Sequence, residues 1–563
     1  MKGGNETMKI GWKKALMFLL ALVIGFAAGI VFKSFTSDDI TVEKIAKGEK
    51  LFALDFTPDD RELMLQDLKD QKKSYENIRK VEIQNSVPPA IQFNPIPRGF
   101  KLETARKPMV LSRYESVRLP GDLNDLAFMS VGELGALIRT RKITSTELTK
   151  MYLARLKKYD PQLRCVITLT EDLALKQARN ADEEIAAGKY RGPLHGIPYG
   201  AKDLLAVKGY KTTWGSVPFK DQAIDENATV IKKLEEAGAV LVAKTSVGEL
   251  AWGDVWFSAT TKNPWNLKEG SSGSSAGSAS STSAGLVAFA IGTETWGSIV
   301  SPSTRCGTTS LRPTFGRVSR AGVMALSWTM DKIGPICRNV EDCAIVFNSI
   351  TGSDGIDQVY DLPFNYNPAI DPKNIHIGYL KKEFDEKSPS KKFDMQTLEK
   401  LKSLGFNLVP IALPNLPVDD LAFILSAEAG AAFDEITRNR KVDLMVRQTR
   451  DAWPNVFRAS RFIPAVEYIQ ANRLRYQLIQ DMEKILAGVD LYISPSFGGS
   501  NLLLTNLTGH PSVVLPNGFN EKGSPVSITF MGKLFGEAKL LAVAKAYQDS
   551  TDFHLKHPPL FMK

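Results

Sequence analysis

The sequence predicts an α/β protein: one large domain whose mixed, twisted β-sheet is covered by α-helices, preceded by an N-terminal transmembrane helix. Three observations carry that expectation. Amphipathic helical stretches alternate with short β-branched runs from about residue 125 onward. A tract of small residues, "EGSSGSSAGSASSTSAG", runs straight into the apolar "LVAFAIG", so it is part of a packed core and not a linker. Near the N-terminus, "ALMFLLALVIGFAAGIVF" is uninterruptedly apolar from Ala15 to Phe32. The chain has 563 residues, 43% hydrophobic and 24% charged, and shows no repeat or second compositional boundary.

The elements follow in order. About 18 apolar residues can just span a bilayer as a helix. Lys9, Lys13 and Lys14 precede the run, and Asp38 and Asp39 follow it after Lys33. That cationic excess keeps the N-terminal end in the cytoplasm and places the rest outside, periplasmic or extracellular. The resulting division is a cytoplasmic tail over 1–14, a signal-anchor over 15–35, a tether with a helical extension over 36–124, and the main domain over 125–563. Cleavage near Ala27-Ala28-Gly29 would instead release a secreted chain; the length of the run favours an uncleaved anchor. Gly25 and Gly29 form a GxxxG pair, for which glycine tolerated on a lipid-facing helix is the simpler reading. Beyond the anchor, "TPDDRELMLQDLKDQKKSYENIRK" puts Leu63, Met64, Leu68 and Tyr75 near one helical face. "NSVPPAIQFNPIPRGF" is Pro-rich and extended.

In the main domain, Thr144 with Glu147 three residues on forms a capping box, and apolar residues at helical spacing follow until Asp160-Pro161 ends the helix. "ATVIKKLEEAGAVLVAKT" reads as a helix, a stop at Gly238, and a buried strand over Val240 to Ala243. "NIHIGYL", "FNLVPIAL" and "DLYISPS" are further short strands between helical stretches.

Composition excludes several functions. The net charge of +9 is spread along the chain, with no basic block interleaved with aromatics, so no nucleic-acid partner is expected. Cys165, Cys306, Cys337 and Cys343 form no CxxC, and the five histidines are scattered, so neither a zinc site nor a disulfide scaffold is expected.

The Ser/Gly tract carries the chemistry. Gly273-Ser274-Ser275-Ala276-Gly277 matches GxSxG, the nucleophile elbow of α/β-hydrolases, with Ser275 as nucleophile. That elbow needs a strand directly before it, and "NPWNLKEGSS" reads as a loop. Small side chains also let two backbones approach and leave N–H groups pointing at a ligand.

Taken together, the motifs "LHGIPYGAKDLL", "GSSAGSA", "GLVAFAIGTETWGSI", "CGTTSLRPTFGRVSRAGVMALSWTMDKIGPICRNVEDC" and "NLTGHPSVVLPNGF" resemble the amidase signature family. The family includes fatty acid amide hydrolase, peptide amidases and the glutaminase subunit of tRNA-dependent amidotransferases. The resemblance covers roughly Asp125 to the C-terminus. It implies the amidase signature fold, no cofactor and no metal. It implies a Ser–cisSer–Lys triad with Ser298 as nucleophile, Ser274 as bridge and Lys202 as base. The backbone N–H groups of Thr295, Trp296 and Gly297 would form the oxyanion hole. The expected function is hydrolysis of a carboxylic amide through an acyl-enzyme, by a chain whose partners are a small-molecule amide, the membrane and, compatibly, a second copy of itself. The alternatives are the glutaminase subunit, an α/β-hydrolase-type esterase using Ser275, and a silent scaffold, which the intact Lys202, Ser274 and Ser298 disfavour.

The chemistry asked of these residues is specific. A serine hydroxyl is a weak nucleophile until a neighbour takes its proton. A lysine can do so only when neutral, and burial is what lowers its pKa from about 10.4. Lys202 lies among apolar residues; Asp203 would point to the opposite face of its strand and is read as structural. Three positions depart from the family: Glu294 for Asp, Trp296 for Gly and Val300 for Arg. The last removes a common ion pair, for which Arg305 is the candidate substitute. Trp252, Trp256, Phe257 and Trp265 either line an apolar acyl pocket or pack in the core.

Overall fold

The computed structural model describes residues 40–114 and 116–562. The apolar run Ala15–Phe32 lies outside them, and among the described residues no helix is long and apolar enough to cross a membrane. The chain divides into two compact units, one ending at Gln84 and one spanning Asn85–Lys563.

In the first unit, helix Val42–Gly48 and a short 3₁₀ turn lead to helix Pro58–Ile78. Thr57 and Asp60 close a capping box on that helix, with Pro58 in its first turn, where a missing N–H costs nothing. Arg61 reaches back to Glu49 at 3.1 Å. None of the helix's residues is buried, and Leu63 is 79% exposed. Its apolar face therefore builds no core.

The second unit is organised by eleven strands: β1 Val166–Leu169, β2 Pro198–Lys202, β3 Val240–Thr245, β4 Phe289–Glu294, β5 Thr309–Arg312, β6 Lys332–Cys337, β7 His376–Leu380, β8 Asn407–Ile411, β9 Leu491–Pro495, β10 Ser512–Phe519 and β11 Pro525–Gly532. They join one sheet in the order β1-β3-β2-β4-β6-β5-β10-β11-β9-β7-β8. Pairs β3/β2, β2/β4, β9/β7 and β7/β8 are parallel and the rest antiparallel. The sheet is thus mixed, as expected. Strands β2, β3 and β4 are buried on both faces, which is why they read as unbroken apolar or small-residue runs and not as alternation.

Two local expectations are corrected. Helix Ser145–Leu163 starts at its Thr144 capping box but runs past Pro161 to Leu163. The Asp160 carboxylate then accepts the N–H groups of Cys165 and Val166, at 2.7 and 2.9 Å, and turns the chain into β1. "NPWNLKEGSS" is not wholly a loop: Asn266–Gly270 pairs with Lys262–Asn263 as a small hairpin.

The Ser/Gly/Ala tract becomes helix Ala276–Ser283, every residue of which is buried. Its hydroxyls donate to neighbouring main-chain carbonyls: Ser278 to Ile291 (3.0 Å), Ser280 to Lys262 (2.8 Å) and Ser283 to Cys306 (2.6 Å). A Cβ on Gly277 would stand 2.3 Å from the Cys165 carbonyl oxygen and 2.4 Å from the Ser246 nitrogen. Small residues are required because the helix lies against other backbone. Hydroxyls are required because that backbone's polar groups must be satisfied out of reach of water.

Candidate active site

Parallel β2 and β4 are neighbours, with Tyr199 opposite Phe289 and Ala201 opposite Ile291. Parallel pairing brings their C-terminal ends to the same edge, so Lys202 at the end of β2 faces the turn that follows β4. Helix Ala276–Ser283 supplies the third side, with Ser274 and Ser275 just before its first turn.

Lys202 is fully buried. Its Nζ donates to Ser274 Oγ (2.8 Å), Ser275 Oγ (3.0 Å), Thr293 Oγ1 (2.7 Å) and the Thr293 carbonyl (3.2 Å). Hydroxyls and a carbonyl surround the amine, and no carboxylate forms an ion pair with it among the described residues. Burial pushes its pKa well below the usual 10.5, outweighing the more distant charges of Asp331 and Glu294, which act the other way. Such an amine, once neutral, presents a lone pair to the Ser274 hydroxyl.

Ser274 is fully buried and follows a cis peptide bond from Gly273. Ser275 is equally buried and its hydroxyl is committed: it accepts from Lys202 and from the Thr293 N–H (3.1 Å) and donates to the Thr293 carbonyl (3.0 Å). A side chain so enclosed suits a strut better than an exposed elbow nucleophile. Ser298 is 8% exposed. Its carbonyl accepts the Ser275 N–H at 3.1 Å, tying the two segments together, while its hydroxyl bonds to no described residue. The structure therefore joins Lys202 to Ser274 directly, and brings Ser298 to the same place through the backbone. Catalytic contacts of this kind often close only when substrate is bound.

The turn Thr295–Gly297 links β4 to Ser298. Gly297 has φ +87°, a conformation that leaves the turn's amides facing outward without a side chain in the way. The amides of Trp296 and Gly297 meet no acceptor among the described residues. Trp296 is 45% exposed, so the indole stands at the mouth of the site and not in the core.

Glu294 anchors this turn. One carboxylate oxygen accepts the N–H groups of Ile299 (2.8 Å) and Val300 (2.9 Å); the other accepts Arg312 (2.7 Å) and Asn506 (2.8 Å). Burial alone would raise its pKa, but Arg312 and these donors outweigh it and hold the group at about 2. Arg305, the expected substitute for the absent arginine, instead pairs with Glu269 at the surface, 3.2 Å away. Arg312, from β5, occupies that role because its strand runs beside β6 and β10 at the depth of Glu294, a proximity that no local pattern encodes. Thr293 and Asn506 were also missed. Thr293 had a signal, since period-2 alternation on β4 puts it on the face of Ile291; Asn506 had none.

Asp203 faces away from Lys202, as expected of the next strand residue, and pairs with buried Lys244 at 2.6 Å. The aromatic residues do not form the pocket beside the site. Trp256 packs edge-on against Phe257 (5.0 Å), and the Trp265 indole donates to the Cys306 carbonyl (2.8 Å). A cavity of about 120 Å³ adjoining Thr293 and Thr295 is lined instead by residues such as Met324, Leu326, Trp328 and Ile333.

Comparison with known proteins agrees with this architecture. The family model described as Amidase matches residues 147–504. The glutamyl-tRNA(Gln) amidotransferase GatA-type subunit of Marinomonas sp. (strain MWYL1) is 34% identical over 482 residues, covering 77% of this chain and 98% of its own. The peptide amidase from Stenotrophomonas maltophilia superposes with a TM-score of 0.66 at 29% identity, over 76% of this chain and 97% of its own. An amidase family protein from Bacillus anthracis str. Ames gives a TM-score of 0.69 at 26% identity, over 82% and 100%. Family model, relatives and fold concur, and the chain belongs to the amidase signature family of amide-hydrolysing enzymes.

Proposed function

We propose that this enzyme is a serine amidase in which Lys202, acting through Ser274, activates Ser298. The observation that carries the reading is the buried Lys202 amine, 2.8 Å from Ser274 Oγ and without a carboxylate counter-ion among the described residues. In the neutral form it takes the Ser274 proton as Ser274 takes that of Ser298. Ser298 Oγ attacks the amide carbon, and the oxyanion meets the turn's backbone N–H groups, those of Thr295, Trp296 and Gly297. Each such donor typically contributes about 3 kcal/mol to the transition state. The relay then returns the proton to the departing nitrogen, which leaves as ammonia or an amine. Water, deprotonated by the same relay, attacks the acyl-serine and releases the carboxylic acid. Ser298→Ala should lose at least about 10³-fold in kcat and all labelling by a fluorophosphonate, with the fold retained. Labelling at Ser275, or full turnover by the variant, would remove Ser298 from this role.

A second reading is the glutaminase subunit of a tRNA-dependent amidotransferase, favoured by the names that its relatives carry. The apolar run Ala15–Phe32 argues against it. We read that run as a signal-anchor that places the catalytic unit outside the cytoplasm, where aminoacyl-tRNA is absent. A reporter enzyme active only after export, fused after Phe35, should be active; a silent reporter would overturn the topology and favour the glutaminase.

A further inference from the structure

The cavity beside Thr293 and Thr295 carries a charge the amidase mechanism does not use. Its walls are mostly apolar, from Met324, Trp328 and Ile333 among others, but Arg320, Asp331, Asp357 and Lys332 also reach it. Three of these four are already satisfied. Arg320 grips Asp357 through two bonds, 2.9 and 3.0 Å. Asp331 accepts the Thr295 hydroxyl (2.5 Å) and the N–H groups of Leu326 (2.8 Å) and Ser327 (3.0 Å).

Lys332 differs. It is only 2% exposed, and its Nζ donates to the Met330 carbonyl and closes no ion pair among the described residues. An ammonium has three protons to donate, so one carbonyl leaves two for another acceptor. Lys332 lies directly opposite Glu294 in the β6/β4 register, yet the Glu294 carboxylate is filled by Arg312, Asn506 and two amides. A buried cation at a cavity wall, with its cross-strand neighbour engaged elsewhere, is complementary to an anion that enters the cavity.

Resting on the amidase reading, we propose that this cavity receives the acyl arm of the substrate and that Lys332 pairs with a carboxylate at the arm's far end. The substrate class is then the monoamide of a short dicarboxylic acid. Size sets the length. A cavity of about 150 Å³ holds benzene, so 120 Å³ accommodates about five heavy atoms on that scale, the count of a –CH₂CH₂COO⁻ arm. The apolar walls pack the methylenes, and Lys332 receives the carboxylate.

The test compares two near-isosteric amides on the full-length enzyme. Succinamate carries the carboxylate, and 4-methylpentanamide replaces its oxygens by methyls. Wild-type kcat/KM should favour succinamate by at least tenfold, and Lys332→Met should collapse that ratio at least tenfold, whatever happens to overall activity. A wild-type preference for the neutral amide, or an unchanged ratio in the variant, overturns the proposal while leaving the amidase reading standing. Calorimetric binding of succinate supplies an arm independent of turnover. Binding to wild type that is lost in both Lys332→Met and Lys332→Gln supports the site, and no binding to wild type overturns it. Succinate binding through Lys332 in a protein that cleaves neither amide and takes no label at Ser298 would instead sink the amidase reading and retain the anion site.

Discussion

Replacing Glu294 by Gln tests how the nucleophile turn is held. The side chain keeps its size and loses its charge. The carboxylate accepts four bonds, two per oxygen: the Ile299 and Val300 amides on one, Arg312 and Asn506 on the other. A glutamine can satisfy only one of these pairs, and its NH₂ group then meets donors on the other side. If the amide pair keeps the oxygen, Arg312 is left buried and uncompensated, at a typical cost of about 3–5 kcal/mol. Linkage reaches a similar figure. The pKa drop from 4.5 to about 2, at about 1.36 kcal/mol per pH unit, corresponds to roughly 3 kcal/mol for a group fully shielded from solvent. The sign follows from the direction. A depressed carboxylate contributes its stability above pH 4.5 and loses it as pH falls toward 2. Glu294→Gln should therefore be about 3 kcal/mol less stable than wild type at pH 7, and the deficit should shrink as pH approaches 3. Equilibrium urea unfolding followed by tryptophan fluorescence at both pH values measures this. A deficit below about 0.5 kcal/mol at pH 7, or one of equal size at pH 3, would refute the argument. Adding Arg312→Met to Glu294→Gln should recover part of the loss, since the stranded cation is then gone.

Two further outcomes follow from the buried lysines. Lys202→Met should lower kcat/KM at pH 7 by about 10²–10⁴-fold. Wild-type activity should rise with pH as the amine, held well below 10.5, loses its proton, so a variant that retains the wild-type pH profile would exclude a lysine base. Asp203→Asn strands Lys244, which would keep only the Lys211 carbonyl and the Thr212 hydroxyl as acceptors. A loss of about 3–5 kcal/mol is expected in urea unfolding, and a change below about 1 kcal/mol would show that the Asp203–Lys244 pair is not needed for the fold.

Local sequence by itself determined a good deal of this protein. Helix starts were readable from capping boxes at Thr144 and Thr57, because a cap acts over three residues. Strands β3, β7, β8 and β9 were readable because apolar periodicity is a property of a short window. The order of motifs selected Lys202, Ser274 and Ser298, and the small residues of 271–285 announced backbone packed on backbone. Tertiary structure decided what depends on partners distant in sequence. It chose Arg312 and not Arg305 as the counter-ion of Glu294, gave Asp203 to Lys244, and surrounded Lys202 with Thr293 as well as the two serines. It also carried the 145–163 helix through Pro161, by letting Asp160 cap the exit, and it placed Lys332 on a cavity wall with no counter-ion among the described residues. The physical reason is the same in each case. A cap or a period is read from neighbours along the chain, whereas a buried charge takes its partner from whichever strand the sheet sets beside it, and strand order is not written in any one segment.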